Sequence, residues 1–116
     1  MTSSEVRAAL TERLRTVEEQ AERLRAQHRD LVAAAAGSNS DDEHDPEGST
    51  LAFEREQVTA TIAGLERARA DVVRALAALD DGSYGRCERC GTAIPAERLV
   101  ARPGARSCVP CASRRR

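Results

Sequence analysis

Residues 87–111 read CERCGTAIPAERLVARPGARSCVPC and hold all four cysteines of a 116-residue chain. The thiols fall as Cys87-x2-Cys90 and, after seventeen further residues, Cys108-x2-Cys111. A CxxC turn brings two sulfurs within reach of one ion. Two such turns supply four thiolates in a tetrahedron, an arrangement that suits zinc at Zn–S distances near ~2.3 Å. Gly91 follows the first pair, as a tight knuckle requires. Four thiolates close the coordination shell and leave no position for water or substrate, so one structural Zn2+ is expected. Disulfides, an Fe–S cluster and a redox dithiol are the competing uses of such cysteines. Nothing suggests export, paired knuckles favour zinc over iron–sulfur, and the βαβ setting of a thioredoxin-like dithiol is missing. Apolar anchors here are few (Tyr84, Ile94, Leu99, Val100 and Val109), so the metal must substitute for a core.

Upstream of this segment the chain changes character. Hydrophobic residues make up 41% of the protein but aromatics only 2%, with no Trp, one Phe and one Tyr. The large side chains that dominate globular cores, at roughly 150–250 Å² buried each, are therefore nearly absent. Ala, Arg, Glu and Leu prevail, a composition of long helices or coiled coils. Apolar positions recur at Leu10, Leu14, Val17, Ala21, Leu24, His28, Leu31 and Ala35, alternating steps of three and four after the first. A second seam runs through Leu51, Arg55, Val58, Ile62, Leu65, Arg69, Val72, Leu76 and Leu79. Both follow the heptad pattern of a coiled coil. The polar seam members His28, Arg55 and Arg69 are read as fixing register or snorkelling to water.

Gly37 sits where a helix end favours positive φ. Asp45-Pro46-Glu47 reads as a helix start, with Asp as N-cap and Pro in the first turn. The spacing predicts helices over about 3–36 and 46–80, joined by a short loop and hence antiparallel. Each would be ~50 Å long, giving a rod with an acidic loop at one end and both termini at the other. The expected fold is mainly α: an antiparallel two-helix coiled-coil hairpin, then a small four-cysteine zinc finger with a short C-terminal helix. The expected domains are residues 1–81, including the tip loop 37–50, and residues 82–116.

Formal net charge is only −1, and all 18 basic residues are Arg, yet the charges are segregated. Residues 37–50 carry five acids and no base, whereas residues 82–116 carry eight Arg against two Glu. No apolar run approaches the ~20 residues of a membrane span, and the N-terminus lacks a signal-peptide core, so the cytoplasm is the expected location. No enzyme is expected, because no Ser/His/Asp or Cys/His constellation, phosphate loop or open metal site is visible. His28 and His44 stand alone.

The frame Cys90-Gly91-x2-Ile94-Pro95-x2-Arg98-Leu99-x-Ala101-Arg102-Pro103-x-Ala105-x2-Cys108-x2-Cys111, behind a helical hairpin, resembles the DksA/TraR family of bacterial RNA polymerase regulators. The resemblance covers nearly the whole chain, although longer DksA members carry a segment ahead of the first helix. It implies a transcription regulator that binds core RNA polymerase without sequence-specific DNA contact and without a membrane. The hairpin would enter the secondary channel formed by β and β′, its acidic tip (Asp41, Asp42, Glu43, Asp45, Glu47) would approach the catalytic centre, and the finger would dock on the rim. Many members act with guanosine tetraphosphate in the stringent response.

Two departures stand out. The family tip reads Asp-Pro-x-Asp-x-Ala, whereas this chain has Asp45-Pro46-Glu47-Gly48-Ser49-Thr50. As an N-cap alone, Asp45 would contribute ~1 kcal/mol. Arg102 matches one of the family's basic nucleotide contacts, but Asp71 and Ala112 stand where the others are Lys. Two further readings remain at this stage: a zinc-ribbon nucleic-acid binder using the Arg-rich C-terminus, and a coiled-coil adaptor with another protein partner.

Overall fold

The computed structural model describes residues 2–37 and 46–114. Four helices account for most of them: α1 (Ser3–Gly37), α2 (Pro46–Asp81), α3 (Ala96–Ala101) and α4 (Val109–Ser113). The one β pairing among the described residues is an isolated antiparallel bridge between Arg86 and Ala93. The fold is thus mainly α, with two long helices forming a hairpin ahead of the clustered cysteines, as the heptads and the paired CxxC turns require. No helix of the described residues is long and apolar enough to cross a membrane.

The residues pack as two compact units. One comprises Met1–Thr16 with Ala68–Arg116, the other Val17–Arg67. In the first, Val6 and Leu10 of α1 meet Val72 and Ala75 of α2, with Leu14, Leu76, Leu79 and Tyr84 packed against them. In the second, Val17, Ala21, Leu31 and Val58 are buried, flanked by half-buried Leu24, Leu51, Ile62 and Leu65. Cross-helix ion pairs run Arg7–Asp80 in the first unit and Arg25–Glu66 in the second. As the α1 partner rises in number the α2 partner falls, which is the antiparallel order.

The apolar stripes, rather than the charges, hold the helices together. Leu10 and Val17 are fully enclosed, and burial of such side chains is worth roughly 1.5–3 kcal/mol each. Arg7 and Asp80, 48% and 68% exposed, form a pair of the kind worth about 0–1 kcal/mol.

Two details of the sequence reading change. Arg69 does not lie in the seam: it is exposed, and the inward stripe passes instead through half-buried Ala68 and buried Val72 and Ala75. Two successive steps of three, from Ile62 to Leu65 to Ala68, shift the inward face, and small alanines occupy it. His28 and Arg55 do sit half-buried on the stripe. Gly37, expected to cap α1 with positive φ, is instead its last helical residue and is not among the positive-φ glycines. That role falls to Gly82 at the end of α2. At φ 82° it turns the chain so that the N–H groups of Ser83 and Tyr84 both reach the Ala78 carbonyl, at 2.9 and 3.2 Å. This is a Schellman-type closure, which satisfies a carbonyl the helix leaves open. At the start of α1, the Thr2 hydroxyl accepts the Glu5 N–H at 3.1 Å and caps the helix.

The difference between stripe and surface is measurable. Leu10→Ala should cost about 2–5 kcal/mol in thermal or denaturant unfolding. Val32→Ala, on a residue 43% exposed, should stay within about 0.5 kcal/mol.

Candidate metal centre

The first knuckle is a tight hairpin built by backbone hydrogen bonds. Around the Arg86–Ala93 bridge, the Cys87 N–H donates to the Thr92 carbonyl at 2.8 Å and the Gly91 N–H returns to the Cys87 carbonyl at 2.9 Å. Gly91 has φ 77°, which costs a residue with a Cβ roughly 1–2 kcal/mol. The second knuckle is made differently. Cys108 occupies the N-cap of α4 with Pro110 in the first turn, and Cys111 projects from that turn. The Ala112 N–H donates to the Cys108 carbonyl at 2.9 Å.

These two turns bring all four sulfurs within 4.8 Å of one another, and Cys90 Sγ lies 3.7 Å from Cys108 Sγ. A tetrahedron with arms of ~2.3 Å has edges of about 3.8 Å, so the donor set fits a zinc ion in both chemistry and size. Cys87, Cys108 and Cys111 are buried and Cys90 is exposed. Ile94 completes the small core, with Leu99 packed on it. Val100 and Val109, counted as anchors from sequence, are instead 63% and 52% exposed.

The sulfurs sit in unlike surroundings. The backbone N–H of Cys108, then that of Cys90, point at Cys87 and hold its thiol down at about 6, against burial. The Thr92 hydroxyl, 2.9 Å from Cys90 Sγ, lowers Cys90 as well. At Cys111, Arg114 (3.6 Å) pulls downward, but the Cys108 sulfur, burial, and the Cys87 and Cys90 sulfurs together push the thiol up to about 11. Cys111 therefore keeps its proton at neutral pH, whereas zinc requires a thiolate there.

Contacts around the cluster tie it to the helices of the same unit. Tyr84, packed on the Val6–Leu10 cluster, donates its hydroxyl to the Pro103 carbonyl at 2.9 Å, and its burial raises its pKa. Arg98 Nε donates to the Ser107 carbonyl at 3.0 Å. Arg106 pairs with Asp71 of α2 at 2.8 Å and with Glu88 at 3.2 Å. None of these partnerships was evident in the sequence. The nearest signal was a helix-borne acid, Asp71, in a chain whose finger is rich in Arg.

Arg102 is exposed and follows α3 as its C-cap, its N–H on the Arg98 carbonyl at 2.7 Å. It lines a cleft of about 370 Å³ together with Arg13, Asp71, Arg106 and Ala112. The three positions singled out by resemblance (Asp71, Arg102 and Ala112) thus share one cleft. Helix α3 itself was not expected, although Pro95 followed by Glu97 is a recognisable helix start. Asp41, Asp42, Glu43 and Asp45 lie outside the described residues; Glu47 falls on the first turn of α2.

Comparison with known proteins agrees with this architecture. The prokaryotic dksA/traR C4-type zinc finger matches residues 82–116. The chain is 41% identical over 73 residues to general stress protein 16O of Bacillus subtilis, an alignment covering 62% of this chain and 44% of that protein. It is 53% identical over 38 residues to an uncharacterized protein of Aquifex aeolicus, covering 33% and 26%. The chain therefore spans less than half the length of these curated relatives. The solved structure of transcription factor DksA2 from Pseudomonas aeruginosa superposes with a TM-score of 0.75 at 20% identity, over 97% of this chain and 81% of that one. At that identity the likeness is one of fold.

Cys108→Ser should abolish stoichiometric zinc, read by native mass spectrometry, and unfold residues 82–116 while leaving most of the helical circular dichroism. Zinc added to the reduced, metal-stripped protein at pH 7 should release protons. The sign follows from Cys111: its raised pKa means a bound proton that the ion must displace. Release should therefore diminish, and affinity rise, as pH climbs toward about 11.

Proposed function

We propose, from the match of its finger to the DksA/TraR zinc finger and the likeness of its fold to a DksA structure, that the chain is a non-enzymatic transcription factor of that family acting directly on RNA polymerase. In this reading Cys87, Cys90, Cys108 and Cys111 hold one structural Zn2+, which supplies the fold of the finger and no chemistry. The hairpin enters the polymerase secondary channel, and the finger bears on the channel rim. The observation that carries the reading is the combination of a four-sulfur cluster within 4.8 Å and a two-helix hairpin held by a narrow stripe of Leu, Val and Ala.

Physical chemistry supports each part. Two paired helices, each about 10–12 Å across with side chains, are narrow enough for a pore that excludes a globular domain. The five acids of residues 37–50 would be drawn to a basic or magnesium-bearing centre, and a confined channel strengthens that attraction. Asp41, Asp42, Glu43, Asp45 and Glu47 are the proposed tip. The protein is proposed to work in the cytoplasm, where the thiols stay reduced.

The nucleotide is a separate matter. Arg102 is the proposed rim or guanosine tetraphosphate contact, but the cleft it lines also holds the Asp71 carboxylate and, at Ala112, no charge. The cleft is accordingly a weaker polyanion site than an all-basic one. The nucleic-acid reading loses support from Tyr84. The only ring in the finger able to stack on a base is half-buried and committed to the Pro103 carbonyl.

The test is titration of labelled protein into core RNA polymerase from the source organism, with run-off transcription read in the same samples. Wild type and Asp45→Ala should bind with similar, saturable affinity, and only the wild type should change transcript yield. Absence of binding by zinc-loaded, helical protein would overturn the reading.

A further inference from the structure

The finger and the helix pair of its unit meet at one guanidinium. Arg106 Nε lies 2.8 Å from Asp71 Oδ1 on α2, and its Nη1 lies 3.2 Å from Glu88 Oε1. Glu88 sits inside the first knuckle, between Cys87 and Cys90, and its N–H donates to the Arg106 carbonyl at 2.9 Å. Arg106 also precedes Cys108 by two residues. One residue is thus fastened to the first knuckle by side chain and backbone, to the second knuckle by the chain, and to the helix by an ion pair.

Burial distinguishes this pair from the others. The Arg106 side chain is 21% exposed and Asp71 38%, against 48% and 68% for Arg7 and Asp80. A partly enclosed charge that loses its partner is poorly resolvated, so removal of either member should be felt far more than at the surface pair. The neighbouring backbone confirms close docking: a Cβ built on Gly104 would stand 3.7 Å from Asp71.

We infer that Asp71, Arg106 and Glu88 form a metal-linked latch, in which the ion-bound knuckle aims Arg106 at Asp71 and so docks the finger on α2. With the knuckle ordered, the Arg106 backbone is pinned and the guanidinium reaches the helix at no further conformational cost. With the knuckle loosened, Glu88 no longer positions it, and the ion pair must order a long side chain by itself, a poor exchange in water. The Tyr84–Pro103 hydrogen bond fastens the same loop but is neutral, so salt distinguishes the two. Arg106 is a positioning residue in this scheme. The latch involves no polymerase and stands or falls apart from the function proposed above.

The experiment is thermal unfolding of the full chain, zinc-loaded and chelator-stripped, for wild type, Asp71→Asn, Arg106→Gln, the double variant and the exchange Asp71→Arg/Arg106→Asp. Asp80→Asn serves as the surface control. In the zinc-loaded protein each single latch variant should lower Tm by roughly 3–6 °C, a shift that shrinks in high salt. The double variant should lose no more than either single, and the exchange should recover part of the loss. In the stripped protein the same substitutions should shift Tm by under about 1 °C. Additive losses, or equal losses with and without zinc, would overturn the latch. Should a variant fail to fold, hydrogen exchange on the wild type decides: the amides around Asp71 should lose protection when zinc is removed, and unchanged protection there refutes the proposal.

Discussion

Four sulfurs held within 4.8 Å of one another are the constraint on which the C-terminal third of this protein depends. Outside the cysteines that segment buries a single large apolar side chain, Ile94. Its two helices have six and five residues, well short of the ~12–15 at which an isolated helix becomes even marginal in water. Neither the knuckle hairpin, with one bridge, nor these turns would persist on local propensity. A tetrahedral ion held by the four sulfurs would join the two turns at a point. Around that point Gly91 can hold its positive φ, Cys108 can cap α4, and the loop between them can lie against α2.

The hairpin solves its stability problem by a different route. It has length where the finger has a cluster of four sulfurs. Helices of 35 and 36 residues carry stripes of modest side chains, mainly Leu, Val and Ala. Its one Phe, Phe53, is 63% exposed and contributes nothing to the stripe. Charge follows the same economy. Ion pairs on the helices are exposed and weak, whereas the partly enclosed pair, Arg106 with Asp71, stands where the finger meets the helix. The proposed function would use this division, with the helical hairpin for reach and the Arg-rich finger for seating.

Much of the fold was legible because its signals are local. A heptad records which side of a helix faces its neighbour, Asp45-Pro46 marks where a helix can begin, and two CxxC turns name four candidate ligands. Each of these rests on contacts within about four residues. The seam failed at Arg69 for a reason of the same kind. Once Ala68 and Ala75 can serve as interior residues, two registers compete, and the periodicity of large side chains does not choose between them.

The amino-acid sequence by itself determined the class of fold, the four cysteines that cluster, the limits of the long helices and the segregation of charge, since all of these are carried by spacing along the chain. Only the tertiary structure decided that Arg106 would meet Asp71, that Tyr84 would be spent on the Pro103 carbonyl, that Cys90 alone of the four thiols would face solvent, and that Asp71, Arg102 and Ala112 would share one cleft. These pairings join residues distant in sequence. Each exists because the finger docks on the helix in one orientation, and no local pattern encodes an orientation.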